Sequence, residues 1–173
     1  MRQQAAHFWH LSRFAFVGCL LLGACSTHDD SQSNPADFAA GGAGEEVACT
    51  DDARVHTFSE GLTETGENGF TITLDSGDPE PPARGDNGWS VTVRDADGEP
   101  VTDAQLVVSA KMPDHGHMSP TNPVASPTDA DGKSDISQLN LFMAGVWFVD
   151  VGITPAGADK PMDSVRFAFC VEG

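Results

Sequence analysis

Residues 89–98 read WSVTVRDADG, and this stretch decides the class of fold. Its three large apolar residues, Trp89, Val91 and Val93, alternate with small or polar residues. Because successive side chains of a β-strand point to opposite faces, this alternation predicts a strand with one buried face. The Asp-Ala-Asp-Gly sequence that follows is typical of a tight turn, since glycine adopts a positive φ without steric cost.

The same two-residue period recurs along the rest of the chain. The predicted inward-facing residues are Phe70, Ile72 and Leu74; Leu106, Val108, Ala110 and Met112; Leu139, Leu141 and Met143; Trp147, Val149, Val151 and Ile153; and Val165, Phe167, Phe169 and Val171. We expect one further strand within residues 47–58 and a weak one within residues 133–137. A sheet with one buried face and one solvent-exposed face is typically antiparallel. About seven short strands at this spacing predict an all-β, immunoglobulin-like antiparallel β-sandwich.

Length and charge exclude several classes of protein. The chain has 173 residues, with 9 Lys and Arg against 26 Asp and Glu, for a formal net charge of −17. Its few basic residues are scattered, which argues against a nucleic-acid binder because phosphate binding needs clustered Lys and Arg. No run reaches the roughly 18 apolar residues of a membrane-spanning helix. No nucleophile or acid–base pair stands out, so we do not expect an enzyme.

The N-terminal sequence predicts export and a lipid anchor. Residues 1–24 have two arginines followed by a short apolar stretch, which is typical of a secretory signal peptide. The sequence Leu-Gly-Ala-Cys at residues 22–25 resembles the bacterial lipoprotein signal, and this resemblance implies that Cys25 is lipidated. A plain signal peptide with a chance cysteine is the alternative. The lipoprotein reading implies a membrane partner through the lipid, and a place in the envelope, at the outer membrane facing the periplasm.

The remaining chain divides into a tether and a domain. Residues 25–46 are polar and rich in Gly, Ala and Ser, so they cannot bury enough apolar surface to order themselves. We expect them to form a flexible tether, and residues 47–173 to form the β-sandwich domain.

The cysteines predict a disulfide. Of the four, Cys19 leaves with the signal peptide and Cys25 takes the lipid, so Cys49 and Cys170 remain. An even pair in an exported chain favours a disulfide, although two free buried thiols are the alternative. Strand parity places Cys170 on the face opposite Phe169. The predicted bond is therefore an outer or edge strap rather than a pin through the core.

One short segment carries candidate metal chemistry, since residues 111–118 read KMPDHGHM. Its donors are Met112, Asp114, His115, His117 and Met118. Thioether sulfur suits Cu(I), and imidazole suits both copper oxidation states. Hard cations need more oxygen ligands, and zinc sites rarely use methionine. If the segment binds a metal, its donors therefore predict copper, and the alternative is an ordinary solvated turn in which Met112 closes the core.

Several motifs together resemble the YtkA-like domain family, and similar modules occur in FixH-like proteins. These motifs are Trp89-x-Val-x-Val, Asp95…Gly98-x-Pro100-Val101, Ala104-x-Leu-x-Val, Met112-Pro113-x-His115-Gly116-His117 and Phe142-Met143-Ala144-Gly145-x-Trp147. The resemblance covers roughly residues 69–171. It implies a small exported or membrane-tethered immunoglobulin-like sandwich, of a kind often associated with copper handling.

The resemblance also implies a ligand set. Met112, His115 and His117 match the family's turn, and Met143 matches the methionine before Gly-x-Trp, which adds it as a further candidate ligand. Many relatives have glycine after the second histidine, whereas this chain has Met118, which adds a thioether.

Two functions from different classes follow from these observations. The first is an envelope lipoprotein that binds copper for carriage or buffering, with copper-handling envelope proteins as partners. The second is a structural or protein-interaction module of the envelope that binds no metal. In the second, the His-Gly-His turn is a determinant of the fold only.

Overall fold

The computed structural model describes residues 49–173. The predicted signal peptide, Cys25 and the tether at residues 25–46 lie outside the described residues. Within residues 49–173, no helix is long and apolar enough to cross a membrane.

Within the described residues, nine strands form two antiparallel sheets. The strands are β1 (Thr63–Thr65), β2 (Thr71–Asp78), β3 (Gly85–Arg94), β4 (Gln105–Met112), β5 (His117–Met118), β6 (Val124–Ala125), β7 (Lys133–Leu141), β8 (Gly145–Thr154) and β9 (Asp163–Val171). The first sheet has the order β1-β2-β3-β7-β6, and the second has the order β5-β4-β8-β9. The predicted all-β antiparallel sandwich is confirmed. Six of the nine are long strands that alternation predicts, and the other three, β1, β5 and β6, are too short for alternation to reveal them.

The core lies between the sheets, and most of it consists of the inward-facing residues that the alternation predicts. All of them are buried except Phe70 and Met143, which pack against the core while partly exposed. Trp89 of the first sheet meets Phe167 and Phe169 of the second, with ring centroids 6.0 and 5.6 Å apart and edges turned toward faces. Such aromatic pairs favour this geometry, so they help to hold the two sheets together.

Strand β7 corrects two sequence predictions at once. The weak strand at 133–137 and the strand through Leu139 and Met143 are one strand, which ends at Leu141. Its pairing with β3 shifts register, and Gln138 has a φ of 58°. An extra residue in a β-bulge reverses the side-chain alternation, so that Ile136 and Leu139 both face the core. Met143 therefore lies beyond the strand, in the connection to β8.

The chain before β1 differs from the expected strand. Among residues 49–58 the structure has a 3₁₀ turn at Cys49–Asp51, and no strand follows it there. The predicted disulfide is confirmed, since Cys49 is bonded to Cys170 with a Cα–Cα distance of 5.3 Å. Cys170 is half-buried and lies on β9, the edge strand of its sheet, whereas Phe169 is buried. The bond is therefore an edge strap, as parity predicts.

Candidate metal site

A tight hairpin holds the two histidines of the turn. Strand β4 ends at Met112, which pairs with His117 at the start of β5. The Gly116 N–H donates to the Met112 carbonyl at 2.9 Å, and Gly116 has a φ of 67°. This left-handed conformation suits glycine, so the sequence itself closes the turn. His115 therefore lies at the tip and His117 at the base.

The two imidazoles are exposed and lie close to each other. Their ring centroids are 6.2 Å apart, at an interplanar angle of 74°. A metal–nitrogen bond of about 2 Å places an ion about 3 Å from a ring centroid. One ion can therefore reach both rings only by lying between them. His117 also packs edgewise on Phe142, at 5.9 Å.

The three methionines occupy different positions. Met112 is 2% exposed, and Met143 is partly buried against the core. The indole N–H of Trp147 donates to the Met143 carbonyl at 2.9 Å, which fixes the backbone there. Met118 is 56% exposed and pairs with Lys111. Because directly paired residues share a face, Met118 lies on the face of Lys111, and His117 on that of Met112.

A cleft of about 900 Å³ at this end of the sandwich brings several candidate ligands together. Met112, His115 and Met143 all line it, and so do Cys49 and Cys170. Its volume lies in the usual range for ligand-binding clefts. The structure thus gathers three candidate ligands in one cleft, with His117 beside His115. It leaves Met118 on the other face of the hairpin.

The candidate donors at the cleft are of two kinds, imidazole nitrogen and thioether sulfur. Within the described part of the chain, no group of three or more His, Cys, Asp or Glu is arranged to hold a metal ion. The candidate donors are instead two imidazoles with the thioethers of Met112 and Met143. This set is softer than the usual zinc set, and it fits copper, above all Cu(I).

Arg54 lies beside the candidate site, and no pattern in the sequence predicts its position there. Its guanidinium forms ion pairs with Asp52 at 2.6 Å and with Asp114, the residue before His115, at 2.7 Å. Hydrogen bonds from Arg54 lower the pKa of Asp52 to about 2 and also lower the pKa of Asp114. Sixty positions separate Arg54 from Asp114, and no periodic pattern connects them.

Replacing Arg54 with alanine is expected to raise the pKa of both carboxyls toward the ordinary value of 3.8. Because these pKa values lie below those of the unfolded chain, the pairs favour folding above that ordinary value. This contribution is lost as the pH falls toward the folded-state pKa. A ¹³C NMR titration of the aspartate carboxyls measures both curves. Arg166→Ala is the control, since Arg166 pairs with Asp150 and should leave the Asp52 and Asp114 curves unchanged.

The structure therefore defines a class of protein: a small antiparallel β-sandwich with a methionine–histidine hairpin at one end. A family model described as YtkA-like matches residues 64–152, and the chain belongs to this family. The match includes the hairpin and Met143.

Comparisons with individual proteins add a distant likeness. A crystal structure of "as isolated" FetP from uropathogenic E. coli strain F11, expressed in the periplasm of E. coli BL21(DE3), matches with a TM-score of 0.41 and 14% identity. The match covers 65% of this chain and 95% of that one. Likeness at this level carries no functional conclusion. Among curated proteins, no significant match is found.

Proposed function

We propose that this YtkA-like domain binds copper at the methionine–histidine hairpin and serves metal carriage or buffering in the cell envelope. The observation that best supports the proposal is the shared cleft. Met112 and His115 reach it from the β4–β5 hairpin, and Met143 reaches it from the connection between β7 and β8. Two segments distant in sequence thus present soft donors to one space.

The burial of the donors suits a carrier. His115 and His117 are exposed, whereas Met112 is almost fully buried and Met143 is partly buried. The exposed imidazoles are accessible to the ligands of a partner protein, so an ion could pass by ligand exchange. The buried thioethers would favour Cu(I) over harder cations. The proposal includes no catalytic step.

The proposed location rests on the N-terminal sequence. The Leu-Gly-Ala-Cys sequence at residues 22–25 supports an exported lipoprotein that is anchored through Cys25. We place it at the outer membrane, facing the periplasm, with copper-handling envelope proteins as partners. Mass spectrometry of the protein from membranes should find a lipid-modified Cys25 as the first residue.

Copper titration tests the proposed activity. We expect the exported chain, carrying Cys25→Ser so that no lipid is attached, to bind one Cu(I) with a Kd tighter than about 1 μM. The double variant His115→Ala, His117→Ala should bind at least about 100-fold more weakly. Losing even a residue that only hydrogen-bonds to a metal ligand lowers metal affinity by about 10–100-fold, and this variant loses two ligands. Anaerobic competition with a coloured Cu(I) chelator measures both values.

Two methionine variants, one at the cleft and one away from it, test the contribution of the thioether. Met143→Leu keeps the side-chain volume but removes the thioether, so Cu(I) binding should weaken. Met162→Leu makes the same change at a residue that is 52% exposed and is not among those lining the cleft, so binding should not change. Wild-type binding weaker than micromolar, or equal binding by the double histidine variant, would refute the copper proposal. A module that binds no metal would then be the better interpretation.

A further inference from the structure

The guanidinium of Arg54 lies between two carboxylates and contacts both through paired hydrogen bonds. Nε and Nη2 donate to Asp52 at 2.9 and 2.6 Å, and Nη1 and Nη2 donate to Asp114 at 2.8 and 2.7 Å. The planar fork of arginine matches carboxylate geometry, which adds directional precision to the attraction. The guanidinium carbon also lies 5.9 Å from the centroid of the Phe148 ring. Three partners thus fix its position.

The segment that carries Arg54 is itself anchored to strand β9. We call residues 49–54 the N-terminal strap. Its first residue, Cys49, is bonded covalently to Cys170 of β9. Just after its last residue, the His56 N–H donates to the Ala168 carbonyl of β9 at 2.7 Å. Because both ends are attached to one strand, the strap gives Arg54 a fixed support.

The other end of this contact is the metal-binding hairpin. Asp114 directly precedes His115, so the position of the Asp114 backbone sets where the His115 side chain begins. Within residues 49–173, the imidazole of His115 has no hydrogen-bond partner of its own. Besides the pairing of β4 with β5 and the contact of His115 with the His117 ring, two contacts restrain the backbone on either side of His115: the Gly116–Met112 backbone bond and the pair between Asp114 and Arg54.

We propose that Arg54 is a positioning residue of the copper site, which holds His115 toward the cleft by fixing Asp114. This inference rests on the proposed copper-binding function. It extends the site beyond the family match, because Arg54 lies outside residues 64–152. The N-terminal strap then belongs to the metal site, because it carries the residue that positions His115.

Arginine substitutions test the inference in the exported Cys25→Ser chain. Arg54→Ala should lower Cu(I) affinity about 10-fold, the lower end of the effect of outer-shell partners. It should also change the Cu(II) electron paramagnetic resonance spectrum, since the His115 geometry changes. The melting temperature should barely move, because exposed ion pairs contribute little to stability. Arg166→Ala is the control, because Arg166 also lies over Phe148, at 4.7 Å, but pairs with Asp150.

A charge swap separates positioning from a general effect on the fold. Arg54→Asp and Asp114→Arg should each weaken Cu(I) binding, and the two together should restore most of it, because the pair re-forms with opposite polarity. If the double variant shows no recovery, or if Arg54→Ala binds as tightly as wild type while His115→Ala binds more weakly, positioning by Arg54 is refuted and copper binding stands. If wild-type protein binds no copper, both proposals fail together.

Discussion

Replacing Cys49 and Cys170 together with serine is expected to lower the free energy of unfolding by about 2–5 kcal/mol. The bond joins positions 121 residues apart, so it removes a large share of the freedom of the unfolded chain. It also fixes the first described residue to the edge strand β9. Urea unfolding in the Cys25→Ser background, followed by tryptophan fluorescence, measures the loss, because Trp89 and Trp147 are both buried.

A reducing agent provides the matched control for this variant. Wild-type protein should fall to the stability of the double serine variant when it is reduced, and the variant itself should not respond. The m-value of the variant should rise, since an unfolded chain without the cross-link exposes more surface. A loss of stability smaller than about 1 kcal/mol would contradict the cross-linking role.

Replacing Trp147 with alanine is expected to cost about 3–5 kcal/mol of folding free energy. Trp147 is fully buried on β8, and its ring lies edgewise to Phe142 at 5.7 Å. Truncation leaves a cavity in the core and removes the hydrogen bond to the Met143 carbonyl. Urea unfolding followed by circular dichroism measures the cost, and Cu(I) competition on the folded variant measures the effect on the site.

Two tryptophan-to-phenylalanine variants separate these effects. Trp147→Phe keeps an aromatic ring but loses the N–H that fixes Met143, so both stability and Cu(I) affinity should fall. Trp89→Phe makes the same change where the buried indole N–H has no partner among the described residues, so no hydrogen bond is lost. It should leave Cu(I) affinity unchanged. Equal effects of the two variants on copper binding would contradict a role for the Trp147–Met143 bond at the site.

Much of the fold follows from alternation because the long strands repeat it several times. In β8, the residues Trp147, Val149 and Ile153 all face inward, and burial follows the two-residue period from Trp147 onward, although Val146 is buried as well. The period fails where the backbone departs from a regular strand. The bulge at Gln138 reverses the alternation within β7, which makes one strand resemble two.

Only part of the candidate site could be predicted from the sequence. Contacts within one hairpin follow from short spacing, whereas contacts between distant segments leave no such pattern. Met112 and His117 are joined by one hairpin, so the spacing alone places them close together. Met143 entered only through its resemblance to a family motif, since it lies beyond the end of β7. The ion pair between Arg54 and Asp114 could not be predicted from the sequence. Acidic residues are numerous in the chain, and no spacing or motif indicates which of them Arg54 contacts.

The Cys49–Cys170 bond also determines how the domain carries mechanical load. A pull on the chain before Cys49 passes through a covalent bond into β9, without first stretching the segment that holds Arg54. Strand β9 is joined to β8 along nine residue pairs, from Gly145 with Val171 to Ile153 with Asp163. The force therefore reaches the rest of the sheet from this edge strand through a long ladder of hydrogen bonds. Tension from the N-terminal side can leave the methionine–histidine hairpin undisturbed.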